Sequence, residues 1–245
     1  EDVFRMLEIL ESMGVGVEWI GEHSVQITPG NYDVATLDQH LVKKLRSSIL
    51  LLGALSATQD TFTVSHPGGC VIGARSVDTH MDALHKLGIA IETTEEGYQI
   101  DARGRQSAKV VLRESSVTAT ENILMVAATL PGVTTIKLAA CEPHVEDLAH
   151  FLVSLGATIE GIGTTTLIVT GKKVLVGSDY TIIPDANEAA TFLILGAATG
   201  SAITVENARE EHLDAVLEKM REFGVEFVIT ENTVSVIPAE KLVAV

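Results

Sequence analysis

One stretch of the chain concentrates side chains able to do chemistry: His66-Pro67-Gly68-Gly69-Cys70-Val71-Ile72-Gly73-Ala74-Arg75-Ser76-Val77-Asp78-Thr79-His80. It holds a thiol, two imidazoles, a guanidinium and a carboxylate within fifteen residues, four of them Gly or Pro. Pro67, Gly68 and Gly69 cannot continue a helix or a central strand, so the sequence places Cys70 on a turn or exposed loop. Gly68, Gly69 and Gly73 let the backbone approach a ligand and turn N–H groups toward an anion. Arg75 adds a planar, permanently charged fork suited to phosphate or carboxylate. Such a segment suits a thiol poised over an anionic substrate. A surface turn carrying an inert cysteine has the same composition, and the residues alone leave both readings open.

Other segments offer partners for such a substrate. Lys43 and Arg46 are spaced to share one face at a helix start, where the helix dipole also attracts anions. A solvated basic face is the alternative. Ser115-Ser116-Val117-Thr118-Ala119-Thr120-Glu121-Asn122 precedes an apolar run, so its hydroxyls suit capping, with Thr118 and Glu121 as a capping box. Asp185 and Glu188 stand at the start of another apolar run and suit the same capping role. Cys141 reads as an inert core thiol. Cys70, His66 and His80 lack the spacing of a zinc site and have no second ligand pair, so no metal is expected.

These residues sit in an acidic, aliphatic chain. The 245 residues carry a net charge of −16 and are 46% apolar but only 4% aromatic, so the core must be built from Val, Ile, Leu and Ala. That charge argues against nucleic acid or an anionic membrane as partner, and an anionic substrate needs a local basic pocket. Two cysteines form no disulfide framework, no secretory signal is evident and no apolar run is long enough to span a membrane. A cytoplasmic protein is expected. The sequence opens on Glu1, directly in a helical pattern, and reads as a fragment.

The elements that must position the reactive stretch recur. Four times a helical pattern ends in a hydrophobic-Gly pair and is followed by a strand, a polar turn and a second strand: Leu7–Ile27, Leu84–Ile100, Phe151–Val169 and Leu217–Val236. The terminating glycines Gly14, Gly88, Gly156 and Gly224 lie 74, 68 and 68 residues apart, each where a left-handed cap is wanted. Between the copies lie helices apolar nearly all round (Ile49–Ala57, Ile123–Thr129, Thr191–Thr199), each leading into a strand, and these should be buried on several sides. Each repeat therefore reads as βαβαββ, an α/β chain with paired antiparallel strands. A strand is also expected over Tyr180–Ile183.

The string Pro-Gly-Gly-Cys-x-Ile-Gly-Ala-Arg-x-Val-Asp-x-His resembles the loop of the UDP-N-acetylglucosamine enolpyruvyl transferase (1-carboxyvinyltransferase) family, a loop its relative EPSP synthase lacks. The resemblance implies an inside-out α/β barrel of six βαβαββ units in two domains, with the active site in the cleft between them. It implies a first domain over residues 1–183 lacking its first strand, and the first unit of an incomplete second domain over 184–245. The implied reaction moves an enolpyruvyl group from phosphoenolpyruvate to the 3-hydroxyl of UDP-N-acetylglucosamine, the first committed step of peptidoglycan synthesis, with no metal or organic cofactor. Cys70 is the implied acid. Arg46, in a match to the family's Val-Lys-x-x-Arg-Ala-Ser segment, and Arg75 are implied to neutralise substrate charge. The further implied substrate contacts are Ser76, Val77, Asp78, Thr79, His80, Glu114, Ser115, Ser116, Val117, Glu142, Asp185 and Glu188. The sequence departs from the family pattern at Glu114, where a Lys is usual, and at Cys141 and Ala186, where Arg is usual. Two alternatives stand beside this reading: a noncatalytic nucleotide-sugar-binding paralogue of the same fold, and a transferase acting on shikimate 3-phosphate.

Overall fold

A computed structural model of the chain describes residues 2–22, 24–68, 76–238 and 241–244. Cys70 and Arg75 lie outside the described residues. In chain order the helices are α1 (Asp2–Ser12), α2 (Gln39–Val42), α3 (Leu51–Thr58), α4 (Asp78–Lys86), α5 (Val117–Ala127), α6 (Pro143–Ser154), α7 (Ala186–Thr199) and α8 (Asp214–Glu222). The strands are β1 (Gly16–Gly21), β2 (Ser24–Thr28), β3 (Thr61–Ser65), β4 (Ala90–Thr93), β5 (Gly97–Asp101), β6 (Lys109–Val111), β7 (Val133–Lys137), β8 (Thr158–Glu160), β9 (Thr166–Thr170), β10 (Ile203–Glu206), β11 (Glu226–Ile229) and β12 (Thr233–Ile237). The Tyr180–Ile183 segment is not a strand, a correction to the sequence reading. Tyr180 instead turns its hydroxyl onto Asp147 Oδ1 at 2.8 Å.

The repeat is the organising feature. Gly14, Gly88, Gly156 and Gly224 follow α1, α4, α6 and α8 with φ of +88°, +79°, +106° and +84°. That region is costly for any residue with a Cβ, which is why glycine ends all four helices. After each glycine comes an antiparallel hairpin: β1–β2, β4–β5, β8–β9 and β11–β12. In the last three copies the second hairpin strand is central, giving the orders β3-β5-β4, β6-β7-β9-β8 and β10-β12-β11. Among the described pairings only β6–β7 is parallel.

Two compact units result: Glu1–Cys141 with Leu148–Asp179, and Glu142–Asp147 with Tyr180–Val245. In the first, α3 and α5 form the centre. Gly53 on α3 is crossed so closely by α5 that a Cβ there would come within 2.6 Å of the Asn122 Cα and carbonyl oxygen. The amide of Gly53 donates to Asn122 Oδ1, and Asn122 Nδ2 donates to the Thr118 carbonyl at 2.8 Å. A fully buried polar side chain thus satisfies backbone between two apolar helices. The outer edge of β3 is met by α2: Gln39 Nε2 donates to the Thr63 carbonyl (3.1 Å) and Gln39 Oε1 accepts from the Ser65 amide (2.6 Å). The second unit has its own core, in which Leu193 of α7, Leu217 of α8 and Val234 of β12 are fully buried.

Candidate functional site

In the first unit the first turns of α4 and α5 are tied side by side. Thr79 Oγ1 donates to Glu114 Oε1 at 3.0 Å, and His80 Nε2 pairs with Thr118 Oγ1 at 2.7 Å. Ser76 Oγ accepts from the Asp78 amide at 3.0 Å, and Val77 is the N-cap residue of α4. At α5 the capping residue is Ser116, whose Oγ accepts from the Ala119 amide at 3.4 Å. This corrects the expected Thr118–Glu121 capping box: the helix starts two residues earlier than that box requires, which frees the Thr118 hydroxyl for His80. The two helix N-termini are thus neighbours, and each carries the positive end of a helix dipole. Such a pole attracts anions within a chain of net charge −16.

Arg46 adds a full charge there. Lys43 ends α2, Leu45 is extended and buried, and Arg46 heads a 3₁₀ turn over Arg46–Leu50. Lys43 and Arg46 therefore do not share one helix face, a correction that follows from Leu45 turning inward and breaking the run. The Ser48 hydroxyl holds the break by donating to the Leu45 carbonyl at 2.6 Å. The charge of Arg46 reaches both His80 and Tyr98. His80 is 5% exposed, and burial first, then Arg46, lowers its pKa to about 4, against the opposing pull of the Val77 carbonyl and Glu114. Its Nδ1 is buried without a hydrogen-bonded partner among the described residues. Burial likewise raises the Tyr98 phenol, with Arg46 opposing.

The N-terminal stem of the thiol segment is anchored against this cluster. His66 Nε2 pairs with the Thr94 carbonyl at 3.0 Å, and its ring meets Tyr98 edge-on at 4.6 Å. Gly68 packs so tightly on the Lys43 backbone that a Cβ would overlap the Lys43 carbonyl. Tyr98, His66 and Thr118 were not among the sequence candidates for substrate contact. Tyr98 reads as one more buried strand residue, and only the pairing of Val64 with Tyr98 puts it under the stem.

Ser115 is exposed beside the α5 cap, and Glu114 is exposed beside Thr79. Thr120, one turn into α5, donates to the Ser116 carbonyl (2.8 Å) and accepts from the Ala140 amide (3.0 Å), which ties the end of β7 to the pole. Cys141 next to it is exposed, not a core thiol as the sequence suggested: Ala139 and Ala140 fill the buried positions and the chain then turns outward. In the second unit, Asp185 caps α7 by accepting from the Asn187 and Glu188 amides at 2.8 and 3.1 Å. Glu142 is exposed, and its carbonyl accepts from the Val145 and Glu146 amides at the start of α6. Among the described residues no group of three His, Cys, Asp or Glu side chains could hold a metal ion, and no helix is long and apolar enough to cross a membrane.

What the pole can do is hold an anionic group on amides, Arg46 and hydroxyls, beside the stem of a cysteine-bearing segment. Known proteins show which family the chain resembles. The chain is 42% identical over 236 residues to a UDP-N-acetylglucosamine 1-carboxyvinyltransferase of Hydrogenovibrio crunogenus, covering 96% of this chain and 56% of that protein. It is 44% identical over 229 residues to the enzyme of the same name from Granulibacter bethesdensis, covering 92% and 54%. The chain thus spans about half the length of the curated relatives it matches. Its fold is similar to the crystal structure of the enolpyruvyl transferase NikO from Streptomyces tendae, with a TM-score of 0.81 at 20% identity over 98% of this chain and 58% of that one. It is also similar to EPSP synthase from Acinetobacter baumannii, with a TM-score of 0.67 at 21% identity over 96% and 56%. The family model for EPSP synthase (3-phosphoshikimate 1-carboxyvinyltransferase) matches residues 1–245, and the chain belongs to that family.

Proposed function

We propose that the chain serves the transfer of an enolpyruvyl group from phosphoenolpyruvate to the 3-hydroxyl of UDP-N-acetylglucosamine, in the cytoplasm, as a committed step of peptidoglycan synthesis. The observation that carries this is the anion-attracting pole of α4 and α5 with Arg46 beside the stem of the Cys70 segment, in a chain 42% identical to relatives of that name. The 3-hydroxyl adds to C2 of phosphoenolpyruvate, giving its own proton to a base, while C3 takes a proton. Loss of a proton from C3 then expels inorganic phosphate and restores the double bond. Cys70 is the proposed acid for C3, a role that needs a thiol tuned toward neutral pH. Arg46 and Arg75 offset phosphate and carboxylate charge. Val77 to His80 and Glu114 to Val117 line the sugar nucleotide, while Glu142, Asp185 and Glu188 are further proposed contacts. The division into a first domain over 1–183 and a unit of a second over 184–245 belongs to the same proposal.

The test is release of phosphate from phosphoenolpyruvate by the full-length protein, with and without UDP-N-acetylglucosamine. Release that depends on the sugar nucleotide and is abolished by Cys70→Ser is expected. Tight binding of UDP-N-acetylglucosamine with no release would select a noncatalytic nucleotide-sugar-binding protein. Release driven by shikimate 3-phosphate instead would move the substrate assignment.

A further inference from the structure

Helices α3 and α5 run from the anion-attracting pole to the far end of the first unit, and their C-termini open onto a second cavity of about 860 Å³. From Ser116 to Thr129 the helical rise separates it from the candidate site by roughly 20 Å. Its apolar wall is Ala57, Leu130, Pro131 and Leu175. Its charged wall is Arg103, Arg105 and Lys173 against the single carboxylate of Asp60. That excess runs against a chain in which 33 acidic residues outnumber 17 basic ones.

The repeat explains how the cations converge. Arg103 and Arg105 follow β5, the last strand of one copy, and Lys172 and Lys173 follow β9, the last strand of the next. Both tails reach the end of α5: Gly171 presses on the Ala127 and Leu130 carbonyls, leaving no room for a Cβ, the Lys172 amide donates to the Ala128 carbonyl at 2.8 Å, and Ser107 Oγ, just after Arg105, donates to the Pro131 carbonyl at 2.7 Å. Two of the cations are committed. Arg105 donates to the Gln59 carbonyl (3.2 Å), the Ala102 carbonyl (3.0 Å) and Asp60 Oδ1 (2.9 Å), which neutralises the end of α3. Arg103 holds Asp101 through Nε at 2.9 Å. Lys173 is exposed and forms no ion pair with any described residue. The cavity therefore offers an uncompensated ammonium, and the outer face of a guanidinium, beside an apolar wall of a size suited to a small organic ligand.

We propose that this cavity is a second binding site, for a small amphipathic organic anion with a carboxylate or phosphate at one end and an apolar body. The anionic end meets Lys173 and Arg103, and the body lies on Leu130, Pro131 and Leu175. The proposal is independent of the enolpyruvyl assignment.

The experiment titrates full-length protein, methyl-labelled at Leu and Val, with phenyl phosphate, inorganic phosphate and benzyl alcohol. Leu130 and Leu175 report the cavity and Val117 reports the candidate site. Phenyl phosphate is expected to shift Leu130 and Leu175 saturably, with inorganic phosphate and benzyl alcohol each at least about tenfold weaker. Lys173→Glu is expected to weaken that binding by about tenfold while leaving the Val117 response unchanged. Lys173 is exposed, so its substitution does not endanger folding. Equal curves for the wild type and Lys173→Glu, or shifts confined to Val117, would overturn the site. Benzyl alcohol binding as well as phenyl phosphate would overturn the anionic class, and inorganic phosphate doing so would overturn the apolar body.

Discussion

Thr118 Oγ1 lies 2.7 Å from His80 Nε2, and this one contact joins the first turns of α4 and α5 while His80 stays buried with its pKa lowered to about 4. The folded value is below the ordinary 6.5, so on acidification the unfolded chain takes up a proton first. His80 therefore contributes stability that is complete above about pH 6.5 and is lost as the pH falls toward 4, by about 3 kcal/mol in full. Urea midpoints measured between pH 7.5 and 4.5 should fall less steeply in His80→Gln than in the wild type. Parallel profiles would show that His80 does not carry this loss.

The Gly53–Asn122 crossing sets a second expectation. Gly53→Ala places a methyl group against the Asn122 backbone, which cannot swing aside as a side chain can. Forcing α3 and α5 apart should cost about 3 kcal/mol. Asn122→Ala leaves the Gly53 amide buried and unpaired, at a cost of about 1–3 kcal/mol. Thermal melts of the two variants check both values, and a double variant with a cost below the sum would show that they act on one contact.

Leu138 and Asn207 occupy the same place in successive copies, just after β7 and β10, with φ of +57° and +55°. Asn tolerates that left-handed conformation far better than Leu does, and Leu138 is 49% exposed, with little packing to lose. Leu138→Asn should stabilise the protein by about 1 kcal/mol, and Asn207→Leu should destabilise it by a similar amount. Chemical denaturation of both variants tests the pair.

Gly68→Ala should damage function. A methyl group there collides with the Lys43 carbonyl and displaces backbone three residues before Arg46. A displacement of about 1 Å in a charge-positioning residue is worth about a hundredfold in kcat/KM. Steady-state kinetics of the full-length variant should show that fall.

Much of this architecture was legible because its signals are local. A helix that must stop in a left-handed residue selects glycine, so Gly14, Gly88, Gly156 and Gly224 marked all four copies. The apolar runs around Leu51, Ile123 and Leu193 were legible as helices for a similar reason. What was hidden depends on contacts distant in sequence. Ser116 rather than Thr118 caps α5, and the Thr118 hydroxyl goes instead to His80, thirty-eight residues earlier. Leu45 breaks the Lys43–Arg46 run because the core takes its side chain, and no local propensity announces that. Cys141 reads as apolar in composition, but Ala139 and Ala140 already occupy the buried positions. Tyr98 joins the site only through strand pairing with Val64.

The carboxamide of Gln39 beside β3 has a consequence outside the folded monomer. An unpaired strand edge presents donors and acceptors at the spacing another strand needs, and it recruits chains into oligomers or aggregates. On β3 the Thr63 acceptor and the Ser65 donor are already taken by one side chain, which has no backbone to extend the ladder. The edge is thereby blocked at that point from within. A single glutamine makes the Thr63 carbonyl and the Ser65 amide unavailable to the strand of a neighbouring chain.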